Sequence, residues 1–219
     1  MPSVPTITQR RYIRWLPEDP NEPTDTIVLT SSSSYFVDLR FGKGRNKKEL
    51  GELEWGFAGA SNSENGHGVW THWVDSNSDM PGKDEGDMST QLDGDTLEKG
   101  QMVNPTTGLL TKYEELWHDL EVSPVGMEKY RISAVLRLED EGKGAQGMIV
   151  RVGQWCQGIL KVGSDVTVER WSWTDSAHWE KLVKIGDNPL PCEATFSPLE
   201  GATLDFEGWK WEILESHRW

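Results

Sequence analysis

Apolar and polar residues alternate along much of this chain with a period of two, and large aromatic rings recur on the apolar beats. Trp209, Trp211 and Ile213 alternate with Lys210, Glu212 and Leu214, while Ile132, Ala134, Leu136 and Leu138 alternate with Arg131, Ser133 and Arg137. Successive side chains of a strand point to opposite faces, so the pattern specifies half-buried β-strands. Further strands are expected over residues 12–15, 26–30, 35–41, 53–58, 69–75, 148–160 and 166–173, punctuated by glycine and proline. Residues 113–120 read equally well as helix or strand. The chain is expected to be all-β.

Twelve of the 219 residues are tryptophan. Rings of this size on a pleated surface either fill a β core or line a pocket. Their number makes a barrel around an apolar ligand a serious candidate.

Composition narrows the partners. Acidic residues number 36 against 22 Lys plus Arg, a formal charge of −14 that repels phosphate backbones and argues against nucleic acid. The basic run Arg45-Asn46-Lys47-Lys48 reads as a solvated loop. No stretch resembles a secretory leader or approaches the ~20 apolar residues of a spanning helix, so no membrane partner is expected. Cys156 and Cys192 are too few for a disulfide scaffold and have no metal-type spacing, which makes a reducing, cytoplasmic compartment the default. Their redox state and the oligomeric state, homodimer included, stay open.

The segment Val122-Ser123-Pro124-Val125-Gly126 has linker composition. It divides the chain into a unit over residues 1–122 and another over 127–219. Residues 108–117 and 201–209 echo each other weakly, which suggests duplication. Residues 76–95 are polar and acidic, with Asp79, Asp84, Glu85, Asp87, Asp93 and Asp95 but no calcium-loop spacing, and read as a solvated loop or a lid over a barrel mouth.

Among motifs, Gly142, Gly144 and Gly147 satisfy G-x-G-x-x-G, yet a strand follows where a dinucleotide site needs a helix, so they are expected to form a hairpin turn. His67, His72, His118, His178 and His217 are scattered, and no metal or cofactor is expected. On an extended segment, Trp70 and His72 share one face and Trp73 and Asp75 the other. A histidine beside an indole on an inner wall could hydrogen-bond a carbonyl or move a proton, although an outward or satisfied His72 is the plainer reading. Arg151, Trp155 and Gln157 would share a face of one long strand. A buried Arg151 needs a carboxylate, Glu169 for instance, or a ligand oxyanion.

Several segments carry a family resemblance: Leu53-Glu54-Trp55-Gly56-Phe57-Ala58-Gly59-Ala60, Trp73-Val74-Asp75-Ser76, Glu115-Leu116-Trp117, Val150-Arg151-Val152-Gly153-Gln154-Trp155-Cys156-Gln157-Gly158 and Trp211-Glu212-Ile213-Leu214-Glu215. In order and separation, along essentially the whole chain, they resemble a fungal family, HRI, named for a yeast protein that interacts with a casein-kinase-I homologue. The chain departs from that pattern at His72, where an apolar aromatic is expected, and its loops are shorter. The resemblance implies two lipocalin-like antiparallel β-barrels in tandem and delivers no activity. Related-looking fungal proteins include cofactor-free natural-product cyclases, among them hetero-Diels–Alder catalysts, so the resemblance also implies a cyclase branch.

Two functions follow as expectations. The first is a cofactor-free enzyme that binds an apolar metabolite and promotes cyclisation or cycloaddition, where orientation alone supplies roughly 7 kcal/mol. Trp55, Trp70, Trp73, Trp155, Trp171 and Trp173 are its wall candidates, and His72, Arg151 and Gln157 its catalytic donors. The second is a non-catalytic carrier or kinase-binding adaptor, suggested by the acidophilic-kinase form of Ser61-Asn62-Ser63-Glu64 and Ser76-Asn77-Ser78-Asp79. A barrel cavity above ~300 Å³ favours the first, and dry, self-filled barrels favour the adaptor.

Overall fold

Strands dominate the computed structural model, which describes residues 3–44, 50–78, 82–127 and 129–219. The run Arg45-Asn46-Lys47-Lys48 and Asp79 lie outside the described residues. Eight strands form the first unit: β1 (Thr6–Trp15), β2 (Thr24–Thr30), β3 (Tyr35–Lys43), β4 (Leu50–Glu64), β5 (His67–Asp75), β6 (Gly82–Thr90), β7 (Thr96–Val103) and β8 (Leu110–Leu120). Each pairs antiparallel with the next, and β8 returns to β1 to close the barrel. Closure removes the sheet edges that would otherwise invite pairing with another chain.

The second unit contains β9 (Ile132–Asp140), β10 (Ala145–Val152), β11 (Trp155–Val162), β12 (Asp165–Trp173), β13 (Trp179–Ile185), β14 (Thr203–Phe206) and β15 (Trp209–Arg218). They make a seven-stranded antiparallel sheet in the order β13-β12-β11-β10-β9-β15-β14. The all-β, two-unit architecture therefore holds, with the first barrel closed and the second sheet left unpaired between β13 and β14. The 3₁₀ turn Cys192–Phe196 packs on that sheet, and Phe196 stacks on Trp179 with ring centroids 4.1 Å apart.

Three sequence expectations change here. Residues 76–95 are not one loop, because β6 runs through them as a polar barrel strand. The expected strand 148–160 is a hairpin: Gly153, at φ 52°, turns β10 into β11, a left-handed conformation that suits glycine. The echo between 108–117 and 201–209 has no shared topology, since the first lies along β8 and the second spans the β14–β15 hairpin. Of the glycines at 142, 144 and 147, the first lies within the turn, the 3₁₀ segment Glu141–Lys143, the second caps it and the third follows on β10.

Both faces of the central strands are buried. On β3, Val37, Leu39 and Phe41 point out of the barrel and pack with Ile27 and Leu29 against Val135, Met148, Val150, Ile159 and Val168 of the second sheet. Burial of such side chains contributes about 1.5–3 kcal/mol each. Polar pins cross the same interface. Gln157 Nε2 donates to the carbonyls of Ile27 (2.9 Å) and Val37 (3.1 Å), and Arg170 donates to Gln157 Oε1, Asp25 Oδ1 and the Leu39 carbonyl at 2.6–2.7 Å. Lys161 Nζ reaches the Asp75 carbonyl at 3.0 Å, and Glu215 accepts from the Ser32 and Ser33 amides. The second sheet's other face holds a separate core of Leu136, Ile149, Cys156, Leu160, Cys192 and Trp211.

Candidate functional site

With the apolar residues of β2 and β3 facing outward, their alternate residues face the barrel interior. That interior is charged. Phe36, Asp38 and Arg40 on β3 point inward, as do Trp70 on β5, Asp84 on β6, Glu98 on β7, and Glu115 and Trp117 on β8. They surround a partly open cavity of about 170 Å³. An eight-stranded barrel leaves room either for its own side chains or for one small ligand. Glycines create some of the space. A Cβ on Gly100 would lie 2.4 Å from the Tyr113 hydroxyl oxygen, and one on Gly86 would lie 2.8 Å from Glu98 Cγ.

The charges are networked. Arg10 donates to Glu22 (2.9 Å) and Thr24 (2.8 Å) and also pairs with Glu115. Arg40 grips Asp38 Oδ2 from Nη2 at 2.8 Å and reaches Glu115 at 3.3 Å. Its guanidinium also lies 4.9 Å from the Trp55 ring and 5.3 Å from the Phe57 ring. Burial would lower the pKa of Arg40, but Asp38 and Glu115 outweigh that and keep it charged. Glu98 accepts from the Tyr113 hydroxyl at 2.7 Å and from Trp117 Nε1 at 3.0 Å. Burial, then the neighbouring charge of Glu115, pushes its carboxyl up to about 8. The same two causes raise Asp84, and burial raises Asp38. Asp38 Oδ1 is buried with no hydrogen-bond partner among the described residues.

His72 faces inward at the end of the barrel, stacked on Phe57 at 4.2 Å. Its Nδ1 lies 3.0 Å from Asp75 Oδ2, while Asp75 Oδ1 accepts from Trp55 Nε1 at 2.9 Å. Burial would raise the Asp75 carboxyl, but those hydrogen bonds, with one from the Asn77 amide, hold it below its ordinary value. His72 Nε2 has no partner among the described residues, and His72 does not line the cavity.

The structure does not bring the expected donors together. Arg151 lies on the opposite side of the second sheet from Trp155 and Gln157, donating to the Gly153 carbonyl (3.0 Å) and the Thr195 carbonyl (2.6 Å) beneath Trp179. Glu169, its expected partner, instead accepts from Trp171 Nε1 and Lys181. Gln157 is consumed at the interface between the units.

The tryptophans are likewise dispersed. Trp70 lines the cavity and Trp55 packs behind Phe57. Trp73 lies under Arg137 at 4.4 Å, and it and Trp155 pack in the interface. Trp171 belongs to the second core, and Trp173 sits edge-on to Trp179 at 5.9 Å. Ser61 and Ser76, proposed as kinase targets, are half-buried and hydrogen-bonded to the Ser34 carbonyl and the Gly56 amide. Sequence reasoning missed Asp38, Arg40, Asp84, Glu98, Glu115 and Trp117. The signal was present on β3, where Asp38 and Arg40 alternate with Val37, Leu39 and Phe41.

Known proteins give context. A family model described as Protein HRI1 matches residues 6–215. Protein HRI1 of Saccharomyces cerevisiae strain Zymaflore VL3 is 27% identical, covering 98% of this chain and 100% of the relative. The strain S288c protein is 26% identical with the same coverage. The crystal structure of an uncharacterized Saccharomyces cerevisiae protein superimposes with a TM-score of 0.77 at 22% identity, covering 97% of this chain and 99% of that one, a likeness of fold. No helix among the described residues is long and apolar enough to cross a membrane.

Proposed function

The chain belongs to the Protein HRI1 family, and for this member we propose small-molecule binding inside the closed β1–β8 barrel. One observation carries the reading: the barrel interior is a hollow of about 170 Å³ bordered by aromatic rings and by Asp38 Oδ1, a buried acceptor with no partner among the described residues, rather than a filled core. A dry apolar cavity of about 150 Å³ accepts benzene, so the space suits a compact ligand.

That size separates binding from the cyclisation expected of a bulky metabolite. Pockets for such ligands run to roughly 300 Å³ and above. The donors that a polarised carbonyl would need, Arg151 and Gln157, have their hydrogen bonds elsewhere. These observations favour a binding protein over a cyclase. Cys156 and Cys192 are both buried free thiols, which supports a cytoplasmic setting for it.

A fragment library screened by ligand-observed NMR tests the proposal. Thr96 borders the cavity, so Thr96→Trp is expected to fill it and abolish the hits seen with the unaltered chain. Hits that persist in a folded Thr96→Trp chain, or no hits at all, would overturn the assignment.

A further inference from the structure

We propose that the ligand of this cavity is a small organic cation, a protonated amine or quaternary ammonium, held between the carboxylates of Asp38, Asp84 and Glu98 and the ring of Trp70. The inference rests on the binding reading above and specifies its ligand class.

Charge balance is the first argument. Arg10 and Arg40 face Glu22, Asp38, Asp84, Glu98 and Glu115. Their salt bridges are spent on Glu22, Glu115 and Asp38, and no ion pair joins Asp84 or Glu98 to a protein cation among the described residues. Ionising a buried carboxyl such as Glu98, or a half-buried one such as Asp84, without an ion-pair partner is costly, and an entering cation removes that cost.

Asp38 gives an independent pointer. It is 3% exposed, borders the cavity, and presents Oδ1 with no hydrogen-bond partner among the described residues, although Oδ2 is held by Arg40. A buried acceptor left open on a cavity wall matches an N–H donor brought by the ligand. The negative cavity also disfavours anionic ligands.

The arrangement selects an organic rather than an inorganic cation. Among the described residues no three His, Cys, Asp or Glu side chains converge closely enough to hold a metal ion. The carboxylates are spread over β3, β6 and β7, with aromatic surface between them. Trp70 and Asp84 are cross-strand partners in the β5–β6 register, so an indole and a carboxylate lie side by side on the wall. That pairing suits an ammonium group, which is attracted by both the ring face and the charge. The net charge of −14 adds long-range attraction for cations. The elevated Glu98 agrees with this geometry: a bound cation favours its ionised form, so binding near neutral pH releases a proton.

Isothermal titration of the full chain at neutral pH provides the test, with benzylammonium and tetramethylammonium as cations, benzyl alcohol as the neutral isostere and benzoate as the anion. Repeating it in buffers of different ionisation enthalpy counts released protons. The expected result is that at least one cation binds about tenfold or more tighter than benzyl alcohol, with proton release and no detectable benzoate binding. Asp84→Asn, at a half-buried position that tolerates the change, should weaken the cation about tenfold and leave benzyl alcohol unaffected. Equal binding of benzyl alcohol and the cations, lost in Thr96→Trp, would overturn the cation assignment and leave the binding site standing. Preference for benzoate would overturn it too, as would failure of both cations to bind. The site itself would fall with them only if the fragment screen were also empty or its hits persisted in the folded Thr96→Trp chain.

Discussion

On β3 of the first barrel the inward residues are Phe36, Asp38 and Arg40, whereas β10 and β11 give the second unit's own apolar core Ala145, Ile149, Cys156 and Leu160. The second core is closed by Trp211 and Cys192, both fully buried, while the first barrel keeps a hollow. The difference teaches where the first barrel gets its stability. Its large apolar surface lies outside, where Val37, Leu39 and Phe41 meet the second sheet. The interior is thereby freed to be charged and open. Binding and stability sit on opposite sides of one barrel wall, and mutations can separate them.

The largest effect is expected in the filled core. Trp211 is fully buried, and its Nε1 has no partner among the described residues, so truncation is a pure packing loss. Trp211→Ala should lower stability by about 3–5 kcal/mol in urea denaturation. A loss below about 1 kcal/mol would mean that the second unit is no better packed than the first.

Next comes the junction between the units. Arg170 is 1% exposed and ties Asp25, Gln157 and the Leu39 carbonyl together. Arg170→Met keeps most of the volume and removes three hydrogen bonds, two of them to buried acceptors. A loss of about 2–3 kcal/mol is expected, moderated because Asp25 is partly solvated. If the units melt separately in this variant, the interface is what makes them one cooperative body.

How much of this was legible turns on particular residues. Alternation on β9 and β15 was readable because one face is continuously apolar while the other carries Ser133, Arg137, Lys210 and Glu212. The strand β6 was not: Asp84, Gly86 and Met88 face a polar hollow while Lys83, Glu85 and Asp87 face water, so neither face signals a core. The tryptophans failed for a different reason. A chain whose barrel wall is buried on both sides offers two buried destinations, one polar and one apolar, and periodicity fixes a residue's face without saying what lies beyond it. Trp70 fell on the hollow side, and Trp155 fell in the interface. Arg151 and Gln157 were misjoined because the turn at Gly153 was read as part of a strand. The linker composition of residues 122–126 and the family resemblance agreed on the two-unit architecture, and both left the cavity unaddressed.

A pH series probes the interior charge directly. Folded Glu98 titrates at about 8 against an ordinary 4.5, so between those values the folded chain retains a proton that the unfolded chain has released. Stability therefore falls as pH rises through that window. Asp84 and Asp38, also raised, act in the same direction above their ordinary range. Glu22, Asp75 and Glu215 are held low and oppose them: their contribution is present above the ordinary carboxylate range and is lost as pH falls through their folded values. Glu98 is faced by Tyr113, Glu115 and Trp117 on β8, Asp84 on β6 and Arg40 on β3, and Arg10 on β1 pairs with that Glu115. Glu98→Gln can still accept from Trp117 and donate to the Tyr113 oxygen after an amide flip. It should flatten the decline in urea midpoint from mildly acidic to mildly alkaline pH. An unchanged slope would show that the decline arises elsewhere.

The smallest stability effect is expected at Trp70, and it bears most directly on the contrast between the two interiors. Trp70 and Trp211 are the same residue type on strands, yet one ring borders a partly open polar cavity over Gly68 and the other is sealed in an apolar core. Truncation in a sealed core leaves a void whose lining loses its contacts. Beside a polar, partly open cavity the vacated volume is available to water, which can hydrogen-bond to the carboxylates nearby. Trp70→Ala should therefore cost only about 1 kcal/mol or less. It should nonetheless weaken benzylammonium about fivefold to tenfold, because the ring face beside Asp84 is lost. Urea denaturation and titration calorimetry on the same preparation measure the two effects together. A Trp70→Ala loss as large as that of Trp211→Ala would mean that the ring closes a dry core, and the division between a stabilising outer wall and a binding interior would fail.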